Sequence, residues 1–233
     1  MRRYDFVSLD AQGTLIRPRP SLSAIYQQVC SRFGRDVTAG EVSSCAAAIW
    51  AEHRDSPEAA ILDTSDDITR EWWARFNSKL FHRLGMTDNQ EGFVQALWDV
   101  FGDPVNWELF PEVRDVLAEL KGRGYRLGIV SNWDSRLLTI CERLELSSQV
   151  DFVIASASAG MEKPDRRIFE IALAAASTPA RRAVHIGDDY VADIVGANGA
   201  GLDAVLIDRD GRGPRHDGTT TIESLTGLLD MLD

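Results

Sequence analysis

The amino-acid sequence predicts an α/β fold: a parallel sheet covered by helices on both faces, with an all-helical segment set between its first and second strands. Three observations lead there. Apolar runs of strand length stand at 5–9, 126–131, 151–155, 183–187 and 203–207. After residue 108 these runs alternate with helical patterns, and such alternation implies parallel strands joined by crossovers. Residues 20 to about 103 break the rhythm, with four helical patterns and no convincing strand.

The first run, Phe6-Val7-Ser8-Leu9, is nearly continuous in apolar residues, as a strand buried on both faces should be. Four stripes at three- and four-residue steps follow it. Leu22, Ile25, Tyr26, Val29 and Phe33 form one, and Val42, Cys45, Ala46, Ile49 and Trp50 the next. Ile68, Trp72, Phe76, Leu80 and Leu84 form the third; Phe93, Leu97, Val100 and Phe101 complete the set. Arg17-Pro18-Arg19-Pro20 and Asp103-Pro104-Val105-Asn106 read as linkers, which divides the chain into a core, 1–19 and 104–233, and a helical unit, 20–103. Trp50 and the Trp72-Trp73 pair either line a pocket or fill the core of that unit; helical spacing favours core. Beyond the second linker, a helix is expected over Pro111–Lys121, with proline at its start and Gly122 and Gly124 after it. Further helices are expected over Asp134–Leu144, Arg166–Ala176, Val191–Ala200 and Ile222–Leu232.

Composition narrows the function classes. Hydrophobic residues at 44% and charged residues at 26% describe an ordinary soluble globular protein. No apolar run approaches the roughly 18 residues that span a bilayer, so no membrane partner is expected. Met1-Arg2-Arg3-Tyr4-Asp5 runs straight into the first strand and leaves no room for a signal peptide. Cys30, Cys45 and Cys141 lie far apart in helical patterns, so reduced thiols are expected and a cytoplasmic location favoured. A net charge of −11 argues against a nucleic-acid partner. The oligomeric state is left open.

Four stretches carry chemistry. Asp10-Ala11-Gln12-Gly13-Thr14-Leu15 follows the first strand, and Ser131-Asn132 ends the second. Lys163-Pro164 precedes a helical pattern, and Gly187-Asp188-Asp189 ends the fourth strand with Asp193 further on. In open α/β sheets, sites form outside the carboxyl ends of the strands. An anionic substrate entering a cluster of Asp10, Asp188, Asp189 and Asp193 would be repelled unless a divalent cation sat there, and hard oxygen ligands suit Mg2+.

In this order and spacing, the four stretches resemble the motif set of the haloacid dehalogenase superfamily. The resemblance runs from about residue 5 to about residue 208. It implies a doubly wound, Rossmann-like core, with 20–103 as the helical cap of subfamily I. The closest flavour resembles the rhythmically-expressed-gene-2-like branch, whose members often lack the second aspartate of the Asp-x-Asp-x-Thr-Leu motif; here that position is Gln12. The resemblance makes Asp10 a nucleophile that forms an aspartyl phosphate. Thr14 would bind phosphate oxygen or brace the turn, and Ser131 and the Asn132 amide would take the other oxygens. Lys163 would neutralise charge. Asp10, the Gln12 carbonyl and Asp188 would hold Mg2+, with Asp189 and Asp193 as supporting or alternative ligands, or simply as caps of the next helix. A glutamine amide cannot carry a proton in either step, so slow turnover is expected. The implied activity is a Mg2+-dependent phosphatase on a small phosphorylated metabolite. An L-2-haloacid dehalogenase and a non-catalytic phosphate- or partner-binding protein are the alternatives. Of the four histidines, His185 falls inside a strand, where a satisfied buried imidazole is expected.

Overall fold

The structure, a computed structural model, describes residues 3–56 and 62–232. Met1-Arg2, the stretch 57–61 within the helical segment and Asp233 lie outside the described residues. In chain order, β1 (Phe6–Leu9) leads to a short β2 (Ile16–Pro18), then to α1 (Leu22–Arg32), α2 (Ala39–Arg54), α3 (Asp66–Arg83) and α4 (Gln90–Gly102). β3 (Trp107–Leu109) returns the chain to α5 (Val113–Gly122), β4 (Arg126–Ser131), α6 (Arg136–Arg143), β5 (Phe152–Ala155), α7 (Ser156–Ala159) and α8 (Arg166–Ala176). β6 (Ala183–Gly187), α9 (Gly196–Gly199), β7 (Asp203–Ile207), β8 (Thr220–Ile222) and α10 (Thr226–Met231) complete it.

Six strands form one parallel sheet in the order β5-β4-β1-β6-β7-β8. The chain moves outward from β1 through β4 to β5, then crosses back to β6 and out through β7, so β1 and β6 flank the point where strand order reverses. Alternation along the strands splits the core into two layers. Val7, Leu9, Leu127 and Ile129 pack with Val116, Leu117 and Leu120 of α5, Ile140 of α6 and Leu228 of α10. Phe6 and Val130 face the opposite way, onto Ile168, Phe169 and Ala172 of α8 and Ala197 of α9.

The segment between β2 and β3 holds its own apolar cluster, in which Tyr26, Val29, Ile49, Phe76, Leu80, Phe93 and Leu97 are buried. Its helix starts are capped as the sequence requires: Thr38 and Glu41 form a reciprocal capping box, and Ser65 and Asn89 accept from Ile68 N and Gly92 N. Polar contacts join it to the rest of the chain. Asp66 accepts from the Ser135 amide at 2.8 Å and its hydroxyl at 2.6 Å, and Leu62 O accepts from Glu162 N at 2.8 Å. The Arg136 guanidinium lies 3.3 Å from the Trp98 ring centre and donates to the Trp98 carbonyl.

Three expectations need correction. The Arg17-Pro18 linker residues belong to β2, which pairs antiparallel with β3 in the register Ile16↔Leu109, Arg17↔Glu108 and Pro18↔Trp107. Such a two-stranded edge ribbon tolerates a proline that lacks a donor. The expected helix over Ile222–Leu232 starts only at Thr226, because the β-branched Thr220-Thr221-Ile222 pairs with β7. The expected helix over Val191–Ala200 opens instead with a wide π-helical stretch, Tyr190–Val195, before α9. Among the described residues, no helix is long and apolar enough to cross a membrane, and the three cysteines are free.

Candidate active site

Parallel pairing sets the site. Leu9 lies opposite Ile129 of β4 and Ile186 of β6, so Asp10, Ser131 and Asp188 leave the sheet at nearly the same level. The Asp10 amide donates to Ile186 O at 2.8 Å, which holds the turn against β6. That turn needs its glycine. Gly13 has φ +79°, and a Cβ there would stand 2.3 Å from Asp188 Oδ2. Gly187 plays the same part beside Asp193, whose carboxylate a Cβ would approach to 2.1 Å.

Lys163 reaches into the crevice from the loop before α8. Its Nζ donates to Asp10 Oδ1 at 2.6 Å and to Asp193 Oδ1 at 2.5 Å, and all three side chains are buried. Asn132 fixes the lysine's backbone: its Oδ1 accepts from Lys163 N and its Nδ2 donates to Lys163 O, both at 2.8 Å. Behind Asp193 stands the buried His185, with Nε2 3.0 Å from Asp193 Oδ1 and Nδ1 2.8 Å from Ser8 Oγ. A carboxylate only accepts, so Nε2 carries the proton and Nδ1 accepts from the serine hydroxyl.

Burial and charge pull these groups apart. Burial raises the Asp10 carboxyl; Lys163 and a hydrogen bond from Ser131 offset part of that, while Asp193 adds to it. Burial would lower Lys163, but the charges of Asp10 and Asp193 outweigh it and hold the ammonium protonated. Burial would likewise raise Asp193; Lys163 and the His185 hydrogen bond overcome it and keep Asp193 well below the usual carboxylate range. His185 is lowered, chiefly by burial, and stays neutral. Asp188 is exposed as a residue, yet its carboxylate end packs against Gly13. Lost hydration there, then the charges of Asp10 and Asp193, push its pKa up to about 8. Carboxylate oxygens of Asp10, Asp188 and Asp193 lie within 4.8 Å of one another. Three mutually repelling hard-oxygen donors are a donor set that fits Mg2+.

The remaining expected residues fall in different places. Gln12 is exposed and lines the cavity beside Asp10. Thr14 is fully buried, and its hydroxyl has no hydrogen-bond partner among the described residues. Asp189 turns its carboxylate onto the amides of Val191 and Ala192, both at 2.8 Å, and its own amide donates to Asp193 Oδ2. It therefore caps the wide turn that presents Asp193 to Lys163. Two further residues carried no signal in the sequence. Arg209, in the loop after β7, donates to the carbonyls of Gly13 and Thr14 and to Glu112, and stacks 3.6 Å over Phe110. It braces the turn that follows Asp10. Glu162 lines the cavity beside Lys163, and burial pushes its carboxyl up to about 7.

Asp10, Lys163, Asp188 and Asp193 line a cavity of about 470 Å3. Its lining also includes Trp50 from α2 and Trp72 and Trp73 from α3. Trp133, directly after Asn132, contributes from the sheet side. Of the tryptophans set aside as either pocket or core, Trp72 and Trp73 are both, packing on the helical cluster and lining the cavity, whereas Trp50 lines the cavity as an exposed residue.

Comparison with known proteins identifies the family. The family described as haloacid dehalogenase-like hydrolases matches residues 4–201. A human protein named haloacid dehalogenase-like hydrolase domain-containing protein 3 is 32% identical over 85% of this chain and 79% of its own length. The Drosophila melanogaster rhythmically expressed gene 2 protein is 26% identical over 89% of this chain and 84% of its own. A ribulose-1,5-bisphosphate 5-phosphatase of Halopiger xanaduensis is 38% identical, over 48% of this chain and 47% of its own. Among solved structures, a HAD hydrolase of Bacillus subtilis bound to magnesium superposes with a TM-score of 0.79 at 20% identity, over 99% of both chains.

Proposed function

The chain belongs to the haloacid dehalogenase-like hydrolases, and from that premise we propose that it is a Mg2+-dependent phosphatase acting on a small phosphorylated metabolite through an aspartyl phosphate at Asp10. The observation that carries this reading is the buried Asp10–Lys163–Asp193 arrangement at the ends of β1 and β6, with Asp188 beside it. A dehalogenase attacking carbon has no need of this surplus of acids, whereas phosphoryl transfer with a bound cation does.

An Asp10 oxygen attacks phosphorus, the bond to the leaving oxygen breaks, and that oxygen keeps the electron pair. Lys163 remains protonated throughout and screens the charge, held in place by Asn132 behind it and Asp193 beside it. Water then attacks the aspartyl phosphate, phosphate leaves, Asp10 is restored, and the water's proton passes to solvent. Gln12 can orient groups at both stages but can give or take no proton, so turnover is slow for poor leaving groups. Asp10, the Gln12 carbonyl and Asp188 would hold Mg2+, which supplies positive charge to the phosphate oxygens when bound. Helices α1–α4, residues 20–103, act as a cap over the cavity, and the β2–β3 ribbon is where it hinges. Three free thiols favour a reducing compartment such as the cytoplasm.

A screen of phosphate esters with and without millimolar Mg2+, with 2-chloropropionate alongside, tests this reading. Metal-dependent phosphate release supports it. Metal-independent halide release would replace it with dehalogenation, and inertness toward every compound would leave a binding protein.

A further inference from the structure

Resting on the phosphatase reading, we propose that the substrate class is the phosphate monoester of an aromatic hydroxyl, an aryl phosphate whose ring lies against the tryptophan wall of the cavity. Two independent features meet in it. One is the wall itself. Trp50 is 40% exposed although it belongs to the apolar face of α2, and its ring centre lies 4.9 Å from that of Trp72. Trp72 meets Trp73 edge to face at 4.9 Å, and both line the cavity. Trp133 flanks the same space from the sheet side, next in chain to Ser131-Asn132. A phosphate held at Asp10 and Lys163 would place its leaving group toward these rings, and about 470 Å3 accommodates an aromatic ring with its phosphate.

The other feature is Gln12. An alkyl alkoxide needs a proton as it departs, whereas a phenolate leaves unprotonated, because the phenol pKa of about 10 makes it a far better leaving group. Asp10 bonds to phosphorus, the P–O bond to the ring oxygen breaks, the phenolate carries off the electron pair, and solvent protonates it later. A site without a carboxylate at position 12 is matched to that leaving group, and the wall is matched to its ring.

The test separates ring recognition from leaving-group ability and from chemistry. Phenyl phosphate and acetyl phosphate both carry leaving groups that need no proton, but only the first has a ring. Wild type should favour phenyl phosphate in KM by about tenfold, in keeping with one or two aromatic contacts. Trp50→Ala should cut the ratio of kcat/KM for phenyl phosphate over acetyl phosphate at least fivefold, and Trp50→Phe should restore most of it. In parallel, calorimetry at millimolar Mg2+ should show phenylphosphonate binding about tenfold more tightly than methylphosphonate. Equal binding of the two phosphonates, or a ratio indifferent to Trp50→Ala, overturns the proposal. If neither phenyl phosphate nor acetyl phosphate is turned over, the hydrolase reading falls, and the phosphonate pair alone decides the ring preference.

Discussion

Replacing Lys163 by methionine should unmask the electrostatics on which the site rests. Methionine keeps the apolar stem and removes the charge. The ammonium stands 2.6 Å from Asp10 and 2.5 Å from Asp193, and at an effective dielectric constant of about 20 each pair is worth about 6 kcal/mol of gross attraction. Much of that offsets the lost hydration of three buried groups. Removing one partner from such a set costs about 3–5 kcal/mol net. The two carboxylates left behind cannot both ionise, so the folded variant should retain one proton that the unfolded chain releases near pH 4. A carboxyl whose folded pKa is raised loses stability as pH climbs above its unfolded value. The deficit relative to wild type should therefore grow by up to about 1.4 kcal/mol per pH unit from about pH 4 until the pH reaches the raised folded pKa. Urea denaturation of both proteins at several pH values, without metal, reads this directly. A deficit under about 1 kcal/mol, or one that does not change with pH, would refute the buried triad.

Millimolar Mg2+ should raise the melting temperature of wild type by mass action on the folded state, and Asp188→Asn should remove most of that gain; calorimetry decides it. Gln12→Asp restores a carboxylate at nearly the same reach and should raise alkyl-phosphate turnover at least tenfold, within the usual range of about 10² to 10⁴ for acid–base help, in pre-steady-state traces at matched Mg2+. If wild type already turns over alkyl phosphates quickly, the role given to Gln12 is wrong. Glu162 has its folded pKa raised from 4.5 to about 7, so it detracts from stability progressively as pH rises through that window. Glu162→Gln should thus be more stable than wild type at pH 8 and nearly equal at pH 4.5, and identical curves at both would discount its burial.

What the sequence disclosed follows from what burial does to composition. Strands buried on both faces must be apolar throughout, so β1, β4, β6 and β7 stood out, and the residues after them marked the crevice. The β2–β3 ribbon and β8 are three residues each, too short for any periodicity to register. The pairing of Asp10 with Lys163 spans 153 residues, and no local pattern encodes it; only the ordered set of motifs implied it. Asp193 could be noticed, but not its choice of Lys163 over the helix it opens, because the wide turn that aims it is a tertiary outcome. Arg209 and Glu162 are ordinary loop residues in the sequence. Their importance comes from contacts with the Gly13-Thr14 carbonyls and from loss of water, neither of which composition records.

The central claim is that Asp10 is a nucleophile toward phosphorus. Incubation with acetyl phosphate and Mg2+, acid quench and peptide mass spectrometry test it most directly. The expected result is one phosphoryl group on the peptide carrying Asp10, dependent on Mg2+, absent from Asp10→Asn and accumulating because Gln12 cannot speed its hydrolysis. Phosphate found on another residue, or no phosphoryl group under conditions in which Mg2+ demonstrably binds, would contradict it.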